Sequence, residues 1–83
     1  MIQFCSHAKI KFIVLKGHGF PISRKQVVET VKKAERVEKG EKGRLISQKR
    51  IDDEHVLRVI HEKVGRNIVV ITFYPGRRKH YES

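Results

Sequence analysis

The residues best suited to chemistry gather in the last third of this chain. Arg58 interrupts an apolar run, and Tyr74 opens the stretch YPGRRKHYES, which carries Arg77, Arg78, Lys79, His80 and Tyr81. Arginine and lysine bind phosphate oxygens, and the planar guanidinium does so bidentately without losing its charge near neutral pH. Tyrosine can stack on a base or orient a ribose, and histidine titrates near neutrality. Five histidines are spread along the chain, at positions 7, 18, 55, 61 and 80. No pair has the spacing of a helical metal motif, and neither a cysteine pair nor a carboxylate cluster completes a site, so no metal is expected. Among the histidines, His7 and His80 are the candidates for moving protons. A glycine-rich phosphate loop after a strand is missing, and no cofactor is expected.

The whole chain then has to present these groups. Its 83 residues make one domain, residues 1–83, with a single core built from a few elements. Nineteen Lys and Arg against nine Asp and Glu give a net charge of +10. Such a field calls for a polyanionic partner, whether nucleic acid, an anionic membrane or an acidic protein. The membrane is the weakest of the three, because the helical segments lack an aromatic or Leu-rich face opposite their lysines and no apolar run approaches the roughly 20 residues of a span. Cys5 is the only cysteine, so an internal disulfide is impossible, and a reducing cytoplasm suits the composition.

Two helices are expected near the N-terminus. Over residues 6–17, Ala8, Phe12 and Leu15 fall on one helical stripe, with Ser6 as the N-cap and Gly17 at the stop. The same residues also alternate as a strand does, through Ile10, Phe12 and Val14, and helix is the preferred reading. Gly17, Gly19 and Pro21 break the chain into a loop. Ser23 and Gln26 form a capping box for a second helix with Val27, Val28, Val31 and Ala34 inward, fading near Arg36. Residues 38–43, EKGEKG, read as an exposed turn.

From Arg44 the pattern changes to period two: RLISQKRI, EHVLRVIHEKV and NIVVITFY each read as strands. The fold class is therefore α+β, with two N-terminal helices packed on one face of a three- to four-stranded antiparallel sheet. A three-residue loop of Gly65, Arg66 and Asn67 pairs Val64 with Ile68 and Arg58 with Tyr74. Arg58, Thr72 and Tyr74 then share a face with Val56, Ile60 and Val70, while Leu57, Val59, Val69, Ile71 and Phe73 form the core face. A two-residue loop breaks this grouping, because a slip of one residue reverses a strand's faces. Pro75-Gly76 is expected to turn the chain back toward the sheet, making residues 77–81 an edge strand that brings Arg78 and Tyr81 toward Arg58 and Tyr74. A disordered basic tail is the alternative.

Three stretches carry a family likeness: HAKIKF with GFPISRKQVVETV, HVLRVIHEKVGRNIVVITFYP, and the closing RRKHY. In this order they resemble a prokaryotic domain-of-unknown-function family grouped with the BrnT and RelE ribonuclease toxins. The resemblance implies a RelE/BrnT-like fold, a toxin–antitoxin context with an acidic antitoxin as partner, and RNA cleavage without metal. It implies that His7, Arg58, Tyr74, Arg78 and Tyr81 belong to the catalytic set; His80 stands beside the family's basic position and joins them as a candidate for moving protons. Lys11, standing where the family commonly has Arg, would bind RNA with Thr72, Arg77 and Lys79.

The function expected on these grounds is a metal-independent endoribonuclease, an mRNA interferase in which the ribose 2′-hydroxyl attacks the adjacent phosphate. That reaction needs a base, an acid and cations for the charge that develops on the phosphoryl oxygens. The alternative is a non-catalytic RNA- or ribosome-binding module, which shares the basic field but needs no acid–base pair.

Overall fold

A computed structural model describes residues 1–82 as an α+β fold, with two longer helices on one face of a five-stranded mixed sheet and a one-turn helix over the other. In chain order the elements are β1 (Ile2–Phe4), α1 (Ser6–Gly17), α2 (Arg24–Lys32), β2 (Arg36–Lys39), β3 (Leu45–Arg50), β4 (His55–Val64), β5 (Asn67–Arg77) and α3 (Arg78–Tyr81). A single 3-10 turn over Glu41–Gly43 links β2 to β3. The strands lie in the order β1-β5-β4-β3-β2; every pair is antiparallel except β1 with β5. Among the described residues no helix is long and apolar enough to cross a membrane.

Both expected helices form. Cys5, not Ser6, is the N-cap of α1, and its thiol donates to the Ile71 carbonyl (3.1 Å). Ala8 and Leu15 are buried, and Phe12 stacks between Phe4 and Phe73 with ring centroids 5.6 and 4.6 Å away. The capping box of α2 is complete: the Gln26 amide donates to Ser23 Oγ (3.1 Å) and the Ser23 amide to Gln26 Oε1 (2.8 Å). Val27 and Thr30 are fully buried beneath it. The helix ends at Lys32, short of the expected Arg36, because the sheet takes the backbone that follows: the Glu35 amide donates to the Gln48 carbonyl (2.8 Å), and Arg36 pairs with Gln48.

Several expectations are corrected. The sheet has five strands, not three or four, and is mixed rather than antiparallel. The two extra strands are β1, three residues long, and β2, which claims Glu38 and Lys39 from the expected turn. Pro75 and Gly76 do not turn the chain. They continue β5, opposite Leu57 and Val56. Proline is tolerated there because β1 pairs only as far as Val70, which leaves this part of β5 on an edge. Residues 78–81 form a short third helix instead of an edge strand.

The β4–β5 hairpin reaches the expected pairing by another route. Its loop has two residues, Gly65 and Arg66, so Val64 pairs with Asn67 and Lys63 with Ile68. Gly65 sits at φ +62°, where a side chain would be strained. An irregularity then skips Ile71: His61 pairs with Val70 and Ile60 with Thr72. One extra residue on β5 restores the phase, and Arg58 lies opposite Tyr74 as expected. The bulge also moves Val70 to the core face, alongside Leu57, Val59 and Phe73, rather than to the face of Arg58.

Candidate functional site

The sheet has two unlike faces. Leu57, Val59, Val70 and Phe73 join Ala8, Leu15 and Val27 in the helix-covered core. On the opposite face, register aligns Arg36 with Gln48, Gln48 with Arg58, and Arg58 with Tyr74. A polar row therefore crosses four strands, and α3 folds over one end of it.

Arg58 is the centre of that row and is only 5% exposed. Its Nε donates to the Tyr74 hydroxyl (3.0 Å), and its Nη1 donates to Glu38 Oε2 (3.2 Å) and to Gln48 Oε1. The Tyr81 ring lies over it, with the guanidinium carbon 4.3 Å from the ring centroid, and Tyr74 and Tyr81 are 6.5 Å apart. Burial works against the guanidinium charge, but the hydrogen bonds with Tyr74 and Glu38 outweigh it and hold the pKa above the usual arginine value. Nη2 makes no hydrogen bond among the described residues.

Glu38 is the carboxylate of this cluster. Its Oε2 is shared by Arg58 and Arg36 (Nε, 3.3 Å), while Oε1 accepts no hydrogen bond among the described residues. The hydrogen bond from Arg58 holds its pKa below the ordinary carboxylate value, against the opposing effect of burial, so Glu38 is ionised at neutral pH. Sequence reasoning missed this residue because EKGEKG carries no apolar alternation. The signal that could have found it is Val37, the one apolar residue flanking that run, which pairs with Ser47.

The last helix is pinned across the row. Arg36 Nη1 (3.0 Å) and Gln48 Nε2 (3.4 Å) donate to the Tyr81 carbonyl. Glu82 lies between two arginines: Arg78 Nε donates to Oε1 and Arg50 Nε to Oε2, each at 2.7 Å. Arg78 also donates to the Asp53 carbonyl (2.7 Å). Glu35, Arg36, Gln48, Arg50, Tyr81 and Glu82 line an open groove of about 290 Å³ beside the covered Arg58.

The candidates from the sequence therefore divide. Arg58, Tyr74 and Tyr81 meet, Thr72 shares their face, and Arg78 joins through α3. His7 and Lys11 do not join them: both sit on α1, on the far side of the sheet, with His7 exposed. Arg77, Lys79 and His80 are exposed, and none makes a side-chain hydrogen bond or ion pair among the described residues.

Two other histidine pairs have catalytic-looking geometry. Ser47 Oγ and His61 Nε2 are 2.8 Å apart, yet both residues are buried on the helix-covered face, which closes them to a substrate. His55 Nδ1 lies 2.9 Å from Asp52 Oδ1. That carboxylate also accepts from the amides of Glu54 and His55, so the pair shapes the turn between β3 and β4. No group of three or more His, Cys, Asp or Glu able to hold a metal occurs among the described residues.

Comparison with protein-family models, curated proteins and solved structures finds no match. The likeness to the BrnT and RelE toxins rests on the motifs alone.

Proposed function

We propose that this chain binds RNA on the face of its sheet opposite α1 and α2, beside α3, and cleaves it there by attack of a ribose 2′-hydroxyl on the adjacent phosphate. The observation that carries the reading is the meeting of a carboxylate, a guanidinium and two phenols at one place: Glu38, Arg58, Tyr74 and Tyr81. Each step of the reaction has a group suited to it. Glu38 Oε1 accepts the 2′-hydroxyl proton, Arg58 stabilises the charge growing on the phosphoryl oxygens, and a tyrosine hydroxyl protonates the leaving 5′-oxygen. Tyr74 uses its oxygen to accept from Arg58, so its own O–H proton stays available for donation. The depressed pKa of Glu38 comes mainly from Arg58. A phosphate arriving on that guanidinium draws the pairing away and makes the carboxylate a stronger base. Glu38 thus takes the proton-accepting part for which the sequence offered His7, His80 and Tyr81.

The remaining charge supports polyanion binding. None of the ion pairs among the described residues uses a lysine, so the lysine charge is uncompensated by any direct partner. An acidic antitoxin-like protein covering the same face is the partner this field suits.

A second reading has its own observation. Arg58 is almost fully buried, paired and covered by Tyr81, as in a structural fastening. On that reading the chain is a non-catalytic RNA-binding module. Purified protein incubated with a defined RNA and a chelator separates the two. Products ending in 2′,3′-cyclic phosphate and 5′-hydroxyl support the ribonuclease; intact RNA, bound with an affinity that falls steeply as salt rises, supports the module.

A further inference from the structure

We infer that Arg50 and Arg78 form a phosphate-binding clamp in which the Glu82 carboxylate occupies the place of a phosphate group. Two guanidiniums from separate elements, the end of β3 and the start of α3, each direct an Nε–H at a different oxygen of one anion, both at 2.7 Å. Two such donors on two oxygens of one group are what a phosphodiester offers as well as a carboxylate does. The Arg78 half of the clamp is held in place independently of its occupant, whereas the Arg50 guanidinium makes no other hydrogen bond among the described residues. Arg78 is fixed by the Asp53 carbonyl through Nη1, and its own amide donates to the Glu54 carbonyl (2.9 Å). The Arg50 amide donates to Glu35 Oε1 (2.8 Å). Glu82 has no comparable anchor for its side chain beyond the two arginines. The groove beside it is open and leads to the ring of Tyr81, which covers Arg58.

An anion that replaces Glu82 therefore does two things. It gains both arginines, and it removes one of the ties that hold the end of α3 across the sheet, leaving those from Arg36 and Gln48 to the Tyr81 carbonyl. The hold of Tyr81 on Arg58 is then loosened, and the buried guanidinium lies closer to opening toward the same groove. The phosphate group is assigned by the chemistry of the clamp; that an RNA strand carries it rests on the proposed function. With RNA, one phosphate on the clamp and its neighbour on Arg58 would make binding of the strand and exposure of the reactive cluster a single event.

The test uses the full chain labelled with nitrogen-15, with inorganic phosphate as the probe and the arginine Nε–Hε resonances as the readout. In Glu82→Gln protein, the Arg50 and Arg78 resonances should move together and saturably, while that of Arg66, an exposed loop arginine, stays still. The unsubstituted protein should show the same pair of shifts at several-fold higher phosphate, since its own carboxylate competes. This arm needs no substitution to be informative. If Arg50 and Arg78 respond no more than Arg66 in both proteins, the clamp is wrong. A defined oligoribonucleotide is then added in place of phosphate. Shifts with phosphate but none with RNA would support the clamp and sink the RNA reading.

Discussion

Tyr81 packs its ring so closely against Gly76 that a side chain has no room there. A Cβ on residue 76 would lie 2.8 Å from Cδ2 of that ring, with Cε2 closer still. Glycine at this point of β5 is thus what lets α3 lie down over Arg58. Gly76→Ala should lift Tyr81 off the sheet. Because α3 is only one turn long, the swing is cheap, and the loss of stability should be about 1 kcal/mol, at the low end for overpacking. Faster amide hydrogen exchange at Glu82, whose N–H now donates to the Arg78 carbonyl (2.7 Å), is the measurement that checks it.

Glu38→Gln should separate binding from chemistry. The change keeps the shape and adds one unit of net positive charge, so RNA should bind at least as well. Cleavage should fall on the order of a hundredfold or more, the usual contribution of a general base. Single-turnover cleavage at saturating protein reads the chemical step alone, and an unchanged rate would remove Glu38 from the mechanism. The partner change, Arg58→Ala, should cost stability as well, about 2 kcal/mol, because it takes the charged donor from Gln48 and Tyr74 and leaves Glu38 with Arg36 alone. Urea unfolding of both single variants and the double variant would show whether the two losses add.

Acid should weaken the fold in two steps. Burial holds His61 below the ordinary histidine value of 6.5. The folded protein therefore binds that proton less readily than the unfolded chain. Its contribution is complete above about pH 6.5 and is lost as pH falls through the lower folded value. Glu38 and Glu82, lowered by their arginines, add a second loss only below about pH 4.5. Urea midpoints from pH 8 to 5 should fall in the native protein, and His61→Gln should flatten that part of the curve.

Phe73 and Ile13 should mark the extremes of the apolar residues. Phe73 is fully buried and takes the Phe12 ring at 4.6 Å, so Phe73→Ala should cost about 3–5 kcal/mol. Ile13 is 73% exposed on the outer side of α1, and Ile13→Ala should stay within about 0.5 kcal/mol. Denaturant melts would check both.

Much of this was legible before the structure. The helix after Ser23 announces itself through its capping box, the one from Ser6 through a stripe that also fits a strand, and the period-two runs after Arg44 mark β3, β4 and β5. β1 stayed hidden because Ile-Gln-Phe is too short for a period to show. β2 stayed hidden because Arg-Val-Glu-Lys has no apolar face; what makes it a strand is the pairing β3 offers. At the site, Arg58 with Tyr74 was recognisable from the hairpin pairing; Tyr81 was expected beside them by way of an edge strand, and it is a short helix that brings it there. Glu38 was not recognisable, since its position beside Arg58 depends on a strand that only tertiary pairing creates. His7 does not meet that group because a motif fixes only order along the chain, while α1 carries His7 to the opposite side of the sheet.

The bulge at Ile71 has a bearing on how such a chain can change over time. The short Gly65-Arg66 loop and the extra residue on β5 are two departures of opposite sense, each putting the strand out of phase by one position. Either alone would turn Arg58 and Tyr74 away from each other; together they cancel. A lineage could therefore lengthen the loop by one residue and delete one near Ile71, keeping the cluster intact. Relatives of this chain are best aligned by paired gaps at those two places, because a gap-free alignment through the hairpin would match residues from opposite faces.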